Sequence, residues 1–169
     1  MKKSEGFMLI ELLIAIGISL ILLVVIYTLY QAEVTNFQFN KKRMEAIDRL
    51  WLSIDKIKKE VREGKRFESP DGFPFSTIFP DISQLPDSLV FTTTDNKTVA
   101  FFTYDADGNL YKAISGSTTA TLIAEDTSIS TTSFSGYAEV TLSTTWNYRG
   151  KARSESITTN ISLRNWRGY

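Results

Sequence analysis

The chain has 169 residues, enough for one modest domain plus an anchor, and its 19 Lys+Arg balance its 19 Asp+Glu. A neutral chain has no general attraction for nucleic acid or for anionic lipid. Cysteine and histidine are both absent, which removes disulfides, thiolate nucleophiles, the commonest general base and the commonest transition-metal ligand, so we expect no enzymatic activity.

The first predicted element is an apolar helix. Residues 7–30 read FMLIELLIAIGISLILLVVIYTLY, 24 residues whose one charge is Glu11. At about 1.5 Å per residue they make roughly 36 Å of helix, against a bilayer core of about 30 Å. The apolar region of a secretory signal is shorter, about 7–15 residues, and is followed by small residues at its cleavage site. Here Tyr30-Gln31-Ala32 puts a bulky ring at that place, so the segment is expected to stay on the protein. A carboxylate within such a span costs about 2–3 kcal/mol, less near the interface. Taken alone, Glu11 is either an idle interfacial residue or one that awaits a cationic partner.

Ahead of the helix stand Met1-Lys2-Lys3-Ser4-Glu5-Gly6, then Phe7-Met8-Leu9-Ile10-Glu11. This resembles the class III signal of type IV pilins and pseudopilins: a short basic leader ending in Gly, then Phe, then Glu at the fifth mature position, then an apolar helix. Lys2 and Lys3 match the leader, Gly6 the residue before the cut, Phe7 the new N-terminus and Glu11 the acidic residue. The resemblance implies cleavage between Gly6 and Phe7 by a prepilin peptidase and N-methylation of Phe7. It also implies assembly with other pilins or pseudopilins by the inner-membrane machinery, with Glu11 of one subunit paired to the Phe7 ammonium of a neighbour. Major pilins usually carry a proline in this helix and a C-terminal cysteine pair. Thr28 stands where that proline would be, and the chain has no cysteine. Both departures point to a minor subunit.

The helix is predicted to run over 7–63, apolar all round and then amphipathic. Met44, Ile47, Leu50, Trp51, Ile54, Ile57 and Val61 recur every three or four residues, which places them on one face. Lys56–Glu60 and Lys59–Glu63 are spaced as ion pairs on the other face. Gly64 followed by Lys65-Arg66 is a stop signal. All four prolines lie between Pro70 and Pro86, so 67–88 is read as a loop whose Phe73, Phe75 and Phe79 pack back onto the head. Strands are expected at 89–94, 98–104, 110–114, 137–146 and 156–163, rich in Thr, Val, Ile and aromatics. Ala138, Val140, Leu142, Thr144 and Trp146 alternate with polar neighbours. The Ser/Thr-rich stretch 115–135 is read as short strands or a surface loop. Short turns at 95–97, 105–109 and 148–151 make neighbouring strands antiparallel.

The expected fold is therefore α+β, pilin-like: a long N-terminal helix packed on an antiparallel sheet. Its parts are a leader (1–6), a transmembrane or assembly helix (7–30), an amphipathic continuation (31–64) and a head of loop and sheet (65–169). Residues 102–112 and 160–165 resemble a hairpin and the last strand of J-type pseudopilins and W-type minor pilins.

Asp105, Asp107 and Asn109 form an Asp-x-Asp-Gly-Asn run like part of a calcium loop, but the twelfth position from Asp105 is Gly116 rather than the closing Glu. A turn between strands is the stronger reading, and no cofactor is expected. Two functions stay open: a minor subunit of a type IV pilus or secretion pseudopilus, near its tip, or a single-pass anchored binding domain that never assembles. The first implies a bacterial inner-membrane protein with its N-terminus cytoplasmic before processing, later in a periplasmic or extracellular filament.

Overall fold

A computed structural model describes residues 9–78, 87–104, 107–134 and 137–163. Among the described residues one long helix, α1 (Leu9–Val61), precedes eight strands: β1 (Gly64–Glu68), β2 (Ser88–Thr93), β3 (Thr98–Tyr104), β4 (Asn109–Ile114), β5 (Thr121–Ala124), β6 (Thr127–Phe134), β7 (Tyr137–Tyr148) and β8 (Lys151–Ser162). A 3-10 turn at Pro70–Gly72 and a four-residue helix, α2 (Phe75–Ile78), lie between β1 and β2. The fold class is α+β, as expected, with a long N-terminal helix and antiparallel strands. By compactness the chain divides into Met1–Lys41 and Lys42–Tyr169.

The first unit, where described, is helix alone. The side chains of residues 9–33 are all exposed, and the apolar window at its start has no burial at all. The hydroxyls of Ser19 and Thr28 donate back to the carbonyls of Ala15 and Val25, at 2.8 Å each. Both polar groups are thus satisfied within the helix, as an apolar surrounding demands.

In the second unit α1 buries one face: Ala46, Leu50, Ser53, Ile54, Ile57 and Val61. This corrects the expected stripe. Met44 and Trp51 are 58% and 50% exposed, and Ile47 is half-buried. Successive helical residues are about 100° apart, so Trp51 cannot share the centre of a face with Leu50. Ala46 and Ser53 belong to it instead, because small side chains let strands approach the helix backbone. Glu60 also departs from expectation: Lys112 on β4 reaches its carboxylate, in place of Lys56 one turn away.

Two sheets share the helix rather than one. The larger has the order β1-β2-β3-β4-β5, the smaller β6-β7-β8, and every pairing is antiparallel. In the larger sheet, Leu89, Phe91, Val99, Phe101 and Leu110 join the core of α1. On its other face Val90, Ala100, Phe102 and Ala113 cover Phe73 and Phe75. Burial on both faces explains why β2 and β3 read as continuous apolar runs rather than alternating ones. Phe73 and Phe75 do pack back onto the head; Phe79 lies outside the described residues.

The smaller sheet alternates cleanly. Ala138, Val140, Leu142, Thr144 and Trp146 point inward, and Ile129 and Ile161 extend that face into the same core. Hydroxyl bonds tie the sheets together: Thr103 Oγ1 accepts from Ile129 N at 2.8 Å, and Thr131 Oγ1 donates to the Ser88 carbonyl at 2.7 Å. Arg43 Nε meets Glu155 Oε1 at 2.7 Å, and Lys42 Nζ donates to the Asn147 carbonyl at 3.1 Å, both reaching from α1 to the β7–β8 hairpin.

The helix stops at Val61 and the chain re-enters as β1 at Gly64. A Cβ on Gly64 would lie 2.9 Å from Leu163 Cδ2, Phe91 Cδ2 and the Val61 carbonyl. The glycine therefore serves close packing of the helix exit against β2, and its φ is not in the left-handed region.

Candidate functional site

The residues singled out at the N-terminus fall on both sides of the boundary of description. Lys2, Lys3, Gly6 and Phe7 lie outside the described residues. Glu11 stands in the first turn of α1, exposed, among Leu9, Ile10, Leu12, Leu13 and Ile14, which are exposed too. From there to Tyr30 the helix is long and apolar enough to cross a membrane. It holds its backbone polar groups within its own hydrogen bonds, the condition for a segment without water. A helix that is apolar all round requires lipid or other helices around it, and a carboxylate in that surrounding requires a cation or an interface. Exposed Tyr27 and Tyr30 close the apolar run; tyrosines are the residues that suit a membrane–water boundary.

The acidic run lies in the second unit, in the turn from β3 to β4. Asp105 is outside the described residues. Asp107 Oδ1 accepts the Asn109 backbone N–H at 2.9 Å, while Asp107 Oδ2 accepts the Tyr111 hydroxyl at 2.6 Å. Asn109 Oδ1 takes the Asp126 N–H at 2.8 Å. The three oxygens therefore brace turns: the Asx interaction closes the β3–β4 hairpin, and Asn109 fastens it to the β5–β6 corner. Hydrogen bonding to Asp107, then burial, pushes the Tyr111 phenol above its ordinary value. Among the described residues no three acidic side chains converge as a metal cluster would.

A third feature went unread in the sequence. Leu52, on the outer side of α1, faces β5 across a shallow groove of about 270 Å³, with Arg49, Ser53 and Lys56 beside it and residues 122–125 opposite. Leu52 is 64% exposed and Leu122 44%. It escaped because its far wall is β5, a four-residue strand within a Ser/Thr-rich stretch that offers no periodicity.

No family model, no curated protein and no solved structure matches the chain.

Proposed function

We propose that the chain is a structural filament subunit of the type IV pilin or pseudopilin kind, a minor one near the tip. In this reading a prepilin peptidase cuts after Gly6 and methylates Phe7. The apolar part of α1 holds the subunit in the inner membrane and then packs among the helices of other subunits. Its head is carried on the amphipathic continuation into the periplasmic or extracellular filament. The observation that carries the reading is the wholly exposed apolar length of α1 with a single carboxylate, Glu11, near its start, preceded by a short basic leader ending in Gly6-Phe7. An anchor alone has no need of that carboxylate. An assembling helix does: pairing with the Phe7 ammonium of a neighbour offsets two charges that are each costly in an apolar core and fixes the axial register of adjoining helices.

The test is Glu11→Leu in cells that carry a prepilin peptidase and an assembly system. Intact-mass measurement is expected to show the first six residues removed and Phe7 methylated in both wild type and variant. Sheared filaments are expected to contain the wild type and to be depleted of the variant by tenfold or more, since a stranded buried charge costs several kcal/mol. Equal incorporation overturns the pairing. Retention of the leader by the wild type in the presence of active peptidase overturns the filament reading and favours a simple anchored domain.

A further inference from the structure

The groove between α1 and β5 combines three properties that suit an added strand. The first is a free edge: β5 is the last strand of its sheet, so alternate N–H and C=O groups face away from β4, a template for another strand. The second is apolar exposure. Leu52 and Leu122 lie open at its two walls, and Ile123 and Ala124 are only partly buried behind them. The third is charge. Arg49 and Lys56 stand on either side of Leu52 along the helix, and neither is in an ion pair with a described residue. Glu125, next in the chain after β5, is the one acidic residue among those that line the groove.

We propose that this groove takes an extended acidic segment of a partner protein, which adds to β5 as a sixth strand. The spacing sets its pattern. Arg49 and Lys56 are seven residues apart on α1, about 10.5 Å along the axis. Residues i and i+4 of a strand are about 13.6 Å apart and point to the same face, within the reach of two long cationic side chains. An acidic residue, then an apolar one two positions on, then a second acidic residue two further on would meet Arg49, Leu52 and Lys56 in turn. The backbone between them would satisfy β5, and the central apolar side chain would cover Leu52 and Leu122. Main-chain bonds supply affinity in this mode and the alternate side chains supply selectivity. The proposal goes beyond the filament reading and does not depend on it, since the peptide measurement below needs neither cleavage nor assembly.

The test uses the full chain in detergent micelles and a fluorescent seven-residue peptide, threonine at odd positions and glutamate, leucine, glutamate at even ones. Saturable binding by anisotropy is expected, weakened at least tenfold in the Arg49→Glu, Lys56→Glu double variant. These two residues are exposed or half-exposed, so the fold should survive, and circular dichroism checks it. A Leu122→Asn variant, which removes the apolar contact without adding charge, should also weaken binding. A peptide N-methylated along one edge should lose binding, because it cannot donate to β5. Equal binding of a scrambled peptide of the same composition, or equal binding by the double variant, overturns the proposal. So does absence of binding, or concentration-dependent self-association of the chain that Lys56→Glu abolishes, which assigns the groove to a second copy.

Discussion

Leu50 and Trp51 are neighbours with opposite surroundings. Leu50 is fully buried and touches both sheets' core, whereas half of Trp51 is in solvent. Leu50→Ala removes three heavy atoms' worth of contacts from a packed site and is expected to cost about 2–5 kcal/mol. Trp51→Ala is expected to cost under about 1 kcal/mol, though the ring is larger. Denaturant midpoints of the two variants decide it, and a Trp51 loss comparable to that of Leu50 would mean that the helix is rotated from the face described. Tyr111 supplies a second residue-scale test. Its pKa is raised in the folded protein by the bond to Asp107, so the folded state holds the phenolic proton more tightly than the unfolded one. That contribution is complete below the ordinary value of 10.0 and is lost as pH rises through the folded value. Asp107→Ala should therefore move one tyrosine's titration to lower pH. Tyrosinate absorbance followed with pH, with Tyr111→Phe as the reference, measures the shift; an unchanged curve would refute the bond.

At the scale of elements, the β7–β8 hairpin depends on its turn. Tyr148 pairs with Lys151, leaving Arg149 and Gly150 as a two-residue loop, with φ of 51° and 73°. Positive φ at both positions is the signature of the mirror-image turn that suits the twist of paired strands. A Cβ on Gly150 meets nothing within 4 Å, so the cost of Gly150→Val is conformational, about 1–2 kcal/mol. Thermal denaturation of the variant measures it, and a loss under a few tenths would show that the turn has rearranged. The turn was legible because Arg149-Gly150 interrupts two alternating runs. The strand at 64–68 was not, and the one at 127–134 was legible only as one of two alternatives for residues 115–135, short strands or a surface loop. β1 carries one large apolar residue, Phe67, and holds its place by pairing with β2. Up to its last residue, Phe134, β6 is Ser and Thr with Ile129 as a buried apolar residue, and it is held by β7 and by the Thr103 and Thr131 bonds to the other sheet. Neither has a pattern that a single strand could display, since what stabilises each is its neighbour.

For the whole molecule the division near Lys41 makes a prediction. All the buried face of α1 lies within the second unit, from Ala46 to Val61, while the exposed apolar helix contributes nothing to that core. Residues 31–169 alone should be soluble, monomeric and of mixed helix and strand content. Circular dichroism with sedimentation of that fragment tests this, and a disordered spectrum would show that the anchor is needed for folding. The apolar helix, its lone carboxylate, the change to an amphipathic continuation, the antiparallel strands of residues 88–114 and the inward alternation of β7 were all determined by the sequence. Each rests on local chemistry: run length, helical period or strand period. The tertiary structure alone decided the division into two sheets, the rotation of the helix face from Trp51 toward Ala46 and Ser53, the capture of Glu60 by Lys112 and the groove at β5. These depend on which surfaces meet across the core, and a choice among partners distant in the chain leaves no period in the sequence to read.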